Sequence, residues 1–248
     1  GLVELTELSD EAMRRRRTDI QMIFQDPISS LNPRRTVGEI VAEPLRVWGP
    51  KGAAEQKALV DKILDAVGID PDLARDKRPH EFSGGQRQRI GVARALALHP
   101  SFVICDEPVS ALDVSIQGQI LAEVRRLADE TGTAIVWVTH DLAVVSSLAD
   151  DIAVMYAGRI VESGTAAEVI ANPRHPYTRG LIDSVPGLHE PGQDLPQIPG
   201  STPQLANLPS GCPFRPRCPR ASEVCATLPP NTGTEAHSVL CHHPLEAT

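Results

Sequence analysis

Two stretches, FSGGQRQRI at 82–90 and SFVICDEP at 101–108, decide the fold of this chain. A glycine pair framed by serine and glutamine is costly inside a helix. It suits a loop that turns its backbone N–H groups outward at a helix N-terminus, where phosphate binds. This reading starts the helix near Gln86 and runs it through QRQRIGVARALALHP. The apolar strand SFVIC then ends at the acid pair Asp106 and Glu107. A strand-end aspartate can hold Mg2+ directly or through water, and the next carboxylate can serve as general base towards an attacking water. Alone, such a pair is an ordinary turn. Placed 20 positions beyond Gln86, it completes the layout of a nucleotide-hydrolysing site on an α/β scaffold.

The remaining composition narrows the class. A length of 248 residues accommodates one α/β domain and an appendage, and 41% hydrophobic residues suffice for a core. With 3% aromatics, that core is aliphatic. A net charge of −8 argues against a nucleic-acid binder. Apolar runs such as TAIVWV and SFVIC fall far short of the ~20 residues of a membrane span, and no signal peptide is visible. The run Arg14–Arg15–Arg16–Arg17 reads first as a solvated helix face, with lipid headgroups or a partner as the lesser alternative.

Proline marks the main composition boundary: 8 of the 22 prolines lie in residues 1–169 and 14 in 170–248, with four of the five cysteines. The expected domains are therefore 1–169, compact α/β, and 170–248, loop-rich. Apolar spacing predicts helices over 10–17, 36–47, 53–67, 115–131, 142–148 and 166–171. Strands are expected over 19–24, 101–105, 134–139, 152–156 and 159–162, with a tight turn at Ala157–Gly158. QDPISSLNPRR at 25–35 reads as a loop full of breakers.

Three residues at strand or helix ends join the acid pair as candidates. His140 follows the strand TAIVWVT and can hydrogen-bond a phosphate or a water there. Gln25 follows IQMIF and can order a water or a metal ligand without adding charge. Asp113 or Ser115 can cap the helix that follows SALDVS. Cys212, Cys218, Cys225 and Cys241 are spaced C-x5-C-x6-C-x15-C, unlike the paired C-x2-C of a zinc ribbon. Iron–sulfur ligation, structural zinc with His237, His242 or His243 as further ligands, and plain thiols all stay open on spacing alone. Cys105 is a small buried hydrophobe of its strand.

These motifs together resemble the ATP-binding subunits of ABC transporters, over nearly the whole chain. FSGGQRQR is similar to the family's signature loop, with Ser83, Gly84, Gly85 and Gln86 facing nucleotide. FVICDEP is similar to Walker B, which implies Mg2+ on Asp106 and a catalytic role for Glu107. VTHDLAVV resembles the switch-histidine segment, implying that His140 is catalytic. IFQDPISSLNP resembles the Q-loop, implying nucleotide sensing by Gln25, and SALDVS resembles the D-loop at the interface of two ATPase subunits, which takes in Asp113. NPRHPYTRGLIDSVP at 172–186 looks like the C-terminal extension of dipeptide, oligopeptide and nickel importers, and that resemblance favours a [4Fe–4S] cluster on the four tail cysteines. The wording of SLNPRRTVGEI suits the second of two such ATPase subunits.

One family motif does not occur. Lys51, Lys57, Lys62 and Lys77 are followed by Gly, Ala, Ile and Arg, so no G-x-x-x-x-G-K-[ST] is present. The expectation is a P-loop NTPase-like ABC ATPase domain lacking its N-terminal strands and P-loop, with a Pro/Cys-rich extension. The resemblance implies ATP and Mg2+ as cofactors and import of dipeptides or oligopeptides as function. It further implies a head-to-tail partner ATPase, two transmembrane permease subunits, a substrate-binding protein acting indirectly, and a peripheral place on the cytoplasmic face of the membrane. The rival from another class is a non-catalytic chain that only donates its signature loop to a partner. A DNA-repair type of ABC ATPase is disfavoured, because Gln25 and Phe82 are only 57 positions apart, with no coiled-coil insertion.

Overall fold

The computed structural model describes residues 4–110, 112–190, 192, 194–234 and 236–246. It divides into two compact units, Gly1–His140 and Asp141–Thr248.

In the first unit, helix α1 (Asp10–Arg16) is capped by Ser9 and leads into strand β1 (Ile20–Ile23). The breaker-rich loop after β1 holds one helical turn, α2 (Pro27–Ser30). Helix α3 (Val37–Trp48) starts from a capping box in which Thr36 and Glu39 satisfy each other's backbone N–H. It continues through Pro44 because Ile40, Val41 and Leu45 are buried along one face. Helix α4 (Ala53–Ala66) and the short α5 (Pro71–Ala74), capped by Asp70, follow. Helix α6 (Gly84–Leu96), strand β2 (Phe102–Asp106), helix α7 (Val114–Thr131) and strand β3 (Ala134–Val138) complete the unit. α7 ends on Gly132 in the left-handed region at φ 68°, the conformation glycine adopts without steric cost.

The three strands form one parallel sheet in the order β1-β2-β3. Ile23 pairs with Cys105 and Asp106 with Val138, so the three strands end at one edge. Ile23, Val103 and Cys105 are buried in a core shared with α3, α4, α6 and α7. In open parallel sheets, ligands bind beyond this carboxyl edge.

The start of α6 corrects the sequence reading. The helix begins at Gly84 rather than Gln86, so the glycine pair fills its first two positions. Ser83 caps it: Ser83 Oγ accepts from Gln86 N–H at 3.3 Å, and Gln86 Oε1 accepts from Ser83 N–H at 3.0 Å. The first-turn N–H groups have no helical partner in any case, so glycine there costs less than in the interior.

In the second unit, helix α8 (Leu142–Leu148) precedes the hairpin β4 (Asp151–Tyr156) and β5 (Arg159–Thr165). Ala157 and Gly158 both have positive φ, 48° and 79°, as a type I′ hairpin turn requires. Helix α9 (Ala166–Ala171), helix α10 (Pro176–Asp183) and strand β6 (His237–Val239) follow. β6 pairs antiparallel with β5. The proline boundary near residue 170 therefore lies inside this unit, because a tail strand completes the sheet begun by the hairpin. Three of the few aromatics pack together here: Tyr156 lies 4.6 Å from Tyr177 and 5.2 Å from Phe214 between ring centroids.

Candidate functional site

The parallel sheet places the candidate residues by strand register. Gln25 lies just beyond β1, Asp106 is the last residue of β2, Glu107 follows it, and His140 stands two residues past β3. Glu107 sits at the centre. Gln25 Nε2 donates to Glu107 Oε2 at 3.0 Å, and His140 Nδ1 lies 3.1 Å from Glu107 Oε1. A carboxylate only accepts, so His140 donates from Nδ1 and its Nε2 is left for another partner. Glu107 N–H donates to Val138 O at 2.9 Å, which ties the turn to β3. The Glu107 side chain is 26% exposed and that of His140 75% exposed. A half-buried carboxylate fixed at both oxygens, beside an exposed imidazole, suits a base that orients a water at the sheet edge.

The glycine loop forms a second group. Ser83, Gly85 and Gln86 line an open cavity of about 520 Å3 with Arg89, Ile116 and Gln119. Among the described residues, no hydrogen bond joins this loop to the Glu107 cluster. Gly85 closely approaches α7: a Cβ there would stand 2.6 Å from Ile116 Cγ2, whereas at Gly84 the nearest atom would be Leu112 Cδ2 at 3.5 Å. One glycine is thus needed for packing, and the other leaves its surroundings open. Asp113 caps α7 by accepting from Ile116 N–H at 3.0 Å. Ala111, in the middle of SALDVS, lies outside the described residues.

Two arginines escaped the sequence reading. Arg89 donates to Val67 O at 2.9 Å and to Gln119 Oε1 at 3.2 Å, forming one wall of the cavity. Arg94 Nη1 donates to Ser30 O at 2.6 Å and so moors the loop after Gln25 to α6. Desolvation pulls the Arg94 guanidinium below its ordinary pKa. The only sequence signal for either was helical spacing from the SGGQ loop.

In the second unit, Cys212, Cys225 and Cys241 are buried, Cys218 is half-buried, and all four are free thiols. Burial pushes the Cys212 and Cys218 thiols up, and that of Cys241 to about 11. Each of these three also feels the charge of others in the set. Backbone N–H groups oppose the shift: Phe214 and Arg215 donate to Cys212, Arg220 to Cys218, and His243 to Cys241 at 3.3 Å. Among the described residues, no three His, Cys, Asp or Glu side chains are arranged to hold a metal ion. The histidines weighed as further ligands are engaged: His237 with Glu162 at 2.7 Å, His242 with Thr227 and His243 with Ser222. Cys105 is fully buried in β2, with its thiol raised to about 12 by desolvation. No helix among the described residues is long and apolar enough to cross a membrane.

Residues 2–110 match the family model for ABC transporters, and residues 161–225 match that for the oligopeptide/dipeptide transporter C-terminal region. The chain is 50% identical over 246 residues to the oligopeptide transport ATP-binding protein OppF of Escherichia coli (strain K12), covering 96% of this chain and 72% of that protein. It is likewise 50% identical over 247 residues to a putative peptide import ATP-binding protein of Brucella abortus (strain 2308), at 95% and 72% coverage. Among solved structures it resembles cbiO1 from Clostridium perfringens, part of the ABC transporter complex cbiONQ, with a TM-score of 0.60 and 31% identity over 66% of this chain and 63% of that one. The chain belongs to the ABC transporter family, in the group whose ATP-binding proteins carry the oligopeptide/dipeptide transporter C-terminal region.

Proposed function

We propose that this chain is the ATP-binding subunit of an importer of short peptides and couples ATP hydrolysis to their uptake. The observation that carries the reading is the convergence of Gln25, Glu107 and His140 at the carboxyl edge of the parallel sheet. The relatives' transport of peptides and the matching C-terminal region support the cargo. ATP and Mg2+ are the cofactors expected of the family.

In this reading Asp106 would hold Mg2+, which would supply positive charge to the phosphates, Glu107 takes the proton of the attacking water, and His140 holds Glu107 through Nδ1 with Nε2 directed towards the γ-phosphate. Gln25 steadies the other carboxylate oxygen and passes the state of the site to the loop after β1, which Arg94 moors to α6. The Ser83–Gln86 turn offers first-turn N–H groups to phosphate. These 248 residues contain no P-loop, so the phosphate cradle must be completed from outside them. A second ATPase subunit arranged head to tail provides the other half of each site. Two permease subunits receive the motion, and a substrate-binding protein delivers cargo to them. The chain acts at the cytoplasmic face of the membrane.

We also propose a [4Fe–4S] cluster on Cys212, Cys218, Cys225 and Cys241. The resemblance of the tail to the oligopeptide/dipeptide transporter C-terminal region carries this proposal; among the described residues no three side chains are arranged to hold a metal ion. When bound, the cluster would cross-link a segment that buries little apolar surface.

The test is ATP-driven peptide uptake into vesicles carrying the complete importer. Glu107→Gln is expected to abolish uptake and phosphate release while nucleotide still binds, and the purified 248-residue chain to release no phosphate. Uptake at the wild-type rate with Glu107→Gln refutes the site assignment. Hydrolysis coupled to a different cargo refutes the peptide reading alone.

A further inference from the structure

Glu162 has no part in the chemistry above, yet it is one of the most deeply buried charged residues in the protein, its side chain 0% exposed. A β-bulge puts it there. Val154 pairs with Glu162 but Met155 pairs with Ile160, leaving Val161 as an extra residue in β5. The alternation of β5 is broken, and Val161 and Glu162 are buried in succession. Re-aiming a side chain in this way is what a bulge does.

The carboxylate takes three donors from two remote segments. Arg174 N–H donates at 2.7 Å and His175 N–H at 2.9 Å, both just ahead of α10. His237 Nε2 approaches at 2.7 Å from β6, 75 positions along the chain. Hydrogen bonds to a buried charged acceptor are the strong kind. Glu162 therefore ties both the entry of α10 and the last strand to the hairpin.

The segment so held carries an opposing cost. Arg174 Nε and Thr178 Oγ1 are buried and, among the described residues, have no hydrogen-bond partner within the protein. Thr178 is 1% exposed. Burying a polar group without a partner opposes the packed state. Residues 174–183 thus combine a strong attachment at one end with unrelieved polar burial along the same turn.

We propose that residues 174–183 form a releasable element of the second unit, latched to the β4–β5 hairpin by the Glu162 carboxylate. Docked, the latch outweighs the two orphaned groups. Released, the Arg174 guanidinium and the Thr178 hydroxyl are hydrated and His237 loses its partner. The inference does not depend on the nature of the site at Glu107 or on any metal at the cysteines.

Two substitutions of opposite sign test it by amide hydrogen exchange on the whole chain. Glu162→Gln keeps the shape but supplies a single acceptor oxygen and a competing donor for three incoming donors. Exchange in 174–183 and 237–241 should quicken by about tenfold or more, the loss of roughly one net charged hydrogen bond, while β4 keeps its protection. Thr178→Val removes the orphaned hydroxyl at nearly constant shape, and exchange in 174–183 should slow. Uniform quickening across Asp141–Thr248 in Glu162→Gln, or no change there, overturns the latch. Unchanged or faster exchange in Thr178→Val overturns the poised balance, and this arm stands even if Glu162→Gln fails to fold.

Discussion

The two glycines of the SGGQ turn should respond oppositely to the same added methyl group. At Gly85 a Cβ would lie 2.6 Å from Ile116 Cγ2. That atom belongs to a β-branched side chain with little rotamer freedom in its helix, so α6 and α7 must move apart. Overpacking of this kind costs about 1–3 kcal/mol. Alanine in a helix gains at most about 0.5–1 kcal/mol over glycine, and less in the first turn. Gly85→Ala is therefore expected to destabilise by about 1–2 kcal/mol. At Gly84 the nearest atom would be 3.5 Å away, an ordinary contact, and Gly84→Ala should be neutral or slightly stabilising. Urea unfolding followed by tryptophan fluorescence reads the correct unit, since the two tryptophans are Trp48 and Trp137. With a slope near ~2 kcal/mol/M, the Gly85→Ala midpoint falls by about 0.5–1 M. Ile116→Ala deletes the clashing atom, so the double variant should recover about 1 kcal/mol as coupling. Equal midpoints for both glycine variants, or no coupling with Ile116→Ala, would refute the close-approach argument.

Three further outcomes follow from particular residues. His175 caps α10 by accepting Tyr177 N–H on Nδ1 at 3.0 Å, and burial lowers its pKa from the ordinary 6.5 to about 4. Below pH 6.5 the unfolded chain binds a proton that the folded one refuses, so stability declines until about pH 4, by about 3 kcal/mol in all. Circular dichroism of Tyr156 and Tyr177 should show that decline flattened in His175→Asn, which keeps a capping oxygen; an unchanged slope counts against it. In the complete importer His140→Ala should slow phosphate release strongly, by at least ~100-fold if it holds the base as argued, and wild-type turnover would remove His140 from the site. Anaerobically purified chain should be brown with iron and sulfide in near-equal amounts, and Cys218→Ser should lose both; stoichiometric zinc in colourless protein would replace the cluster.

The sequence spelled out the parts of the fold that depend on short-range chemistry. SFVIC, TAIVWV and IQMIF announced three strands as short apolar runs, and the structure pairs them in parallel, although β3 leaves Val136 and Val138 exposed on one face. Once those strands run in parallel, the residues just past their ends share one edge, and Gln25, Glu107 and His140 meet there. What stayed hidden depends on distant contacts. β6 is three residues long and is a strand only because β5 pairs with it. α10 opens on Pro176, which reads as a breaker in sequence yet suits a first helical position, where no N–H is required. Glu162 looked like the polar end of a short strand. Its burial follows from a bulge that leaves no mark in composition. The glycine pair misled in the other direction, since the cost of glycine in a helix was applied to a first turn that does not incur it.

One backbone angle reaches beyond the site that contains it. Glu107 has φ 42°, a left-handed conformation that a side chain with a Cβ occupies at a cost of about 1–2 kcal/mol. The hydrogen bonds from Gln25 and His140 and the tie to Val138 O hold it there. Glycine at this position would adopt the same angle freely. A library of this chain selected only for heat resistance should therefore enrich Glu107→Gly, although that replacement discards the carboxylate. Durability and turnover then become competing objectives at one residue, and a thermostable scaffold has to find its gains elsewhere.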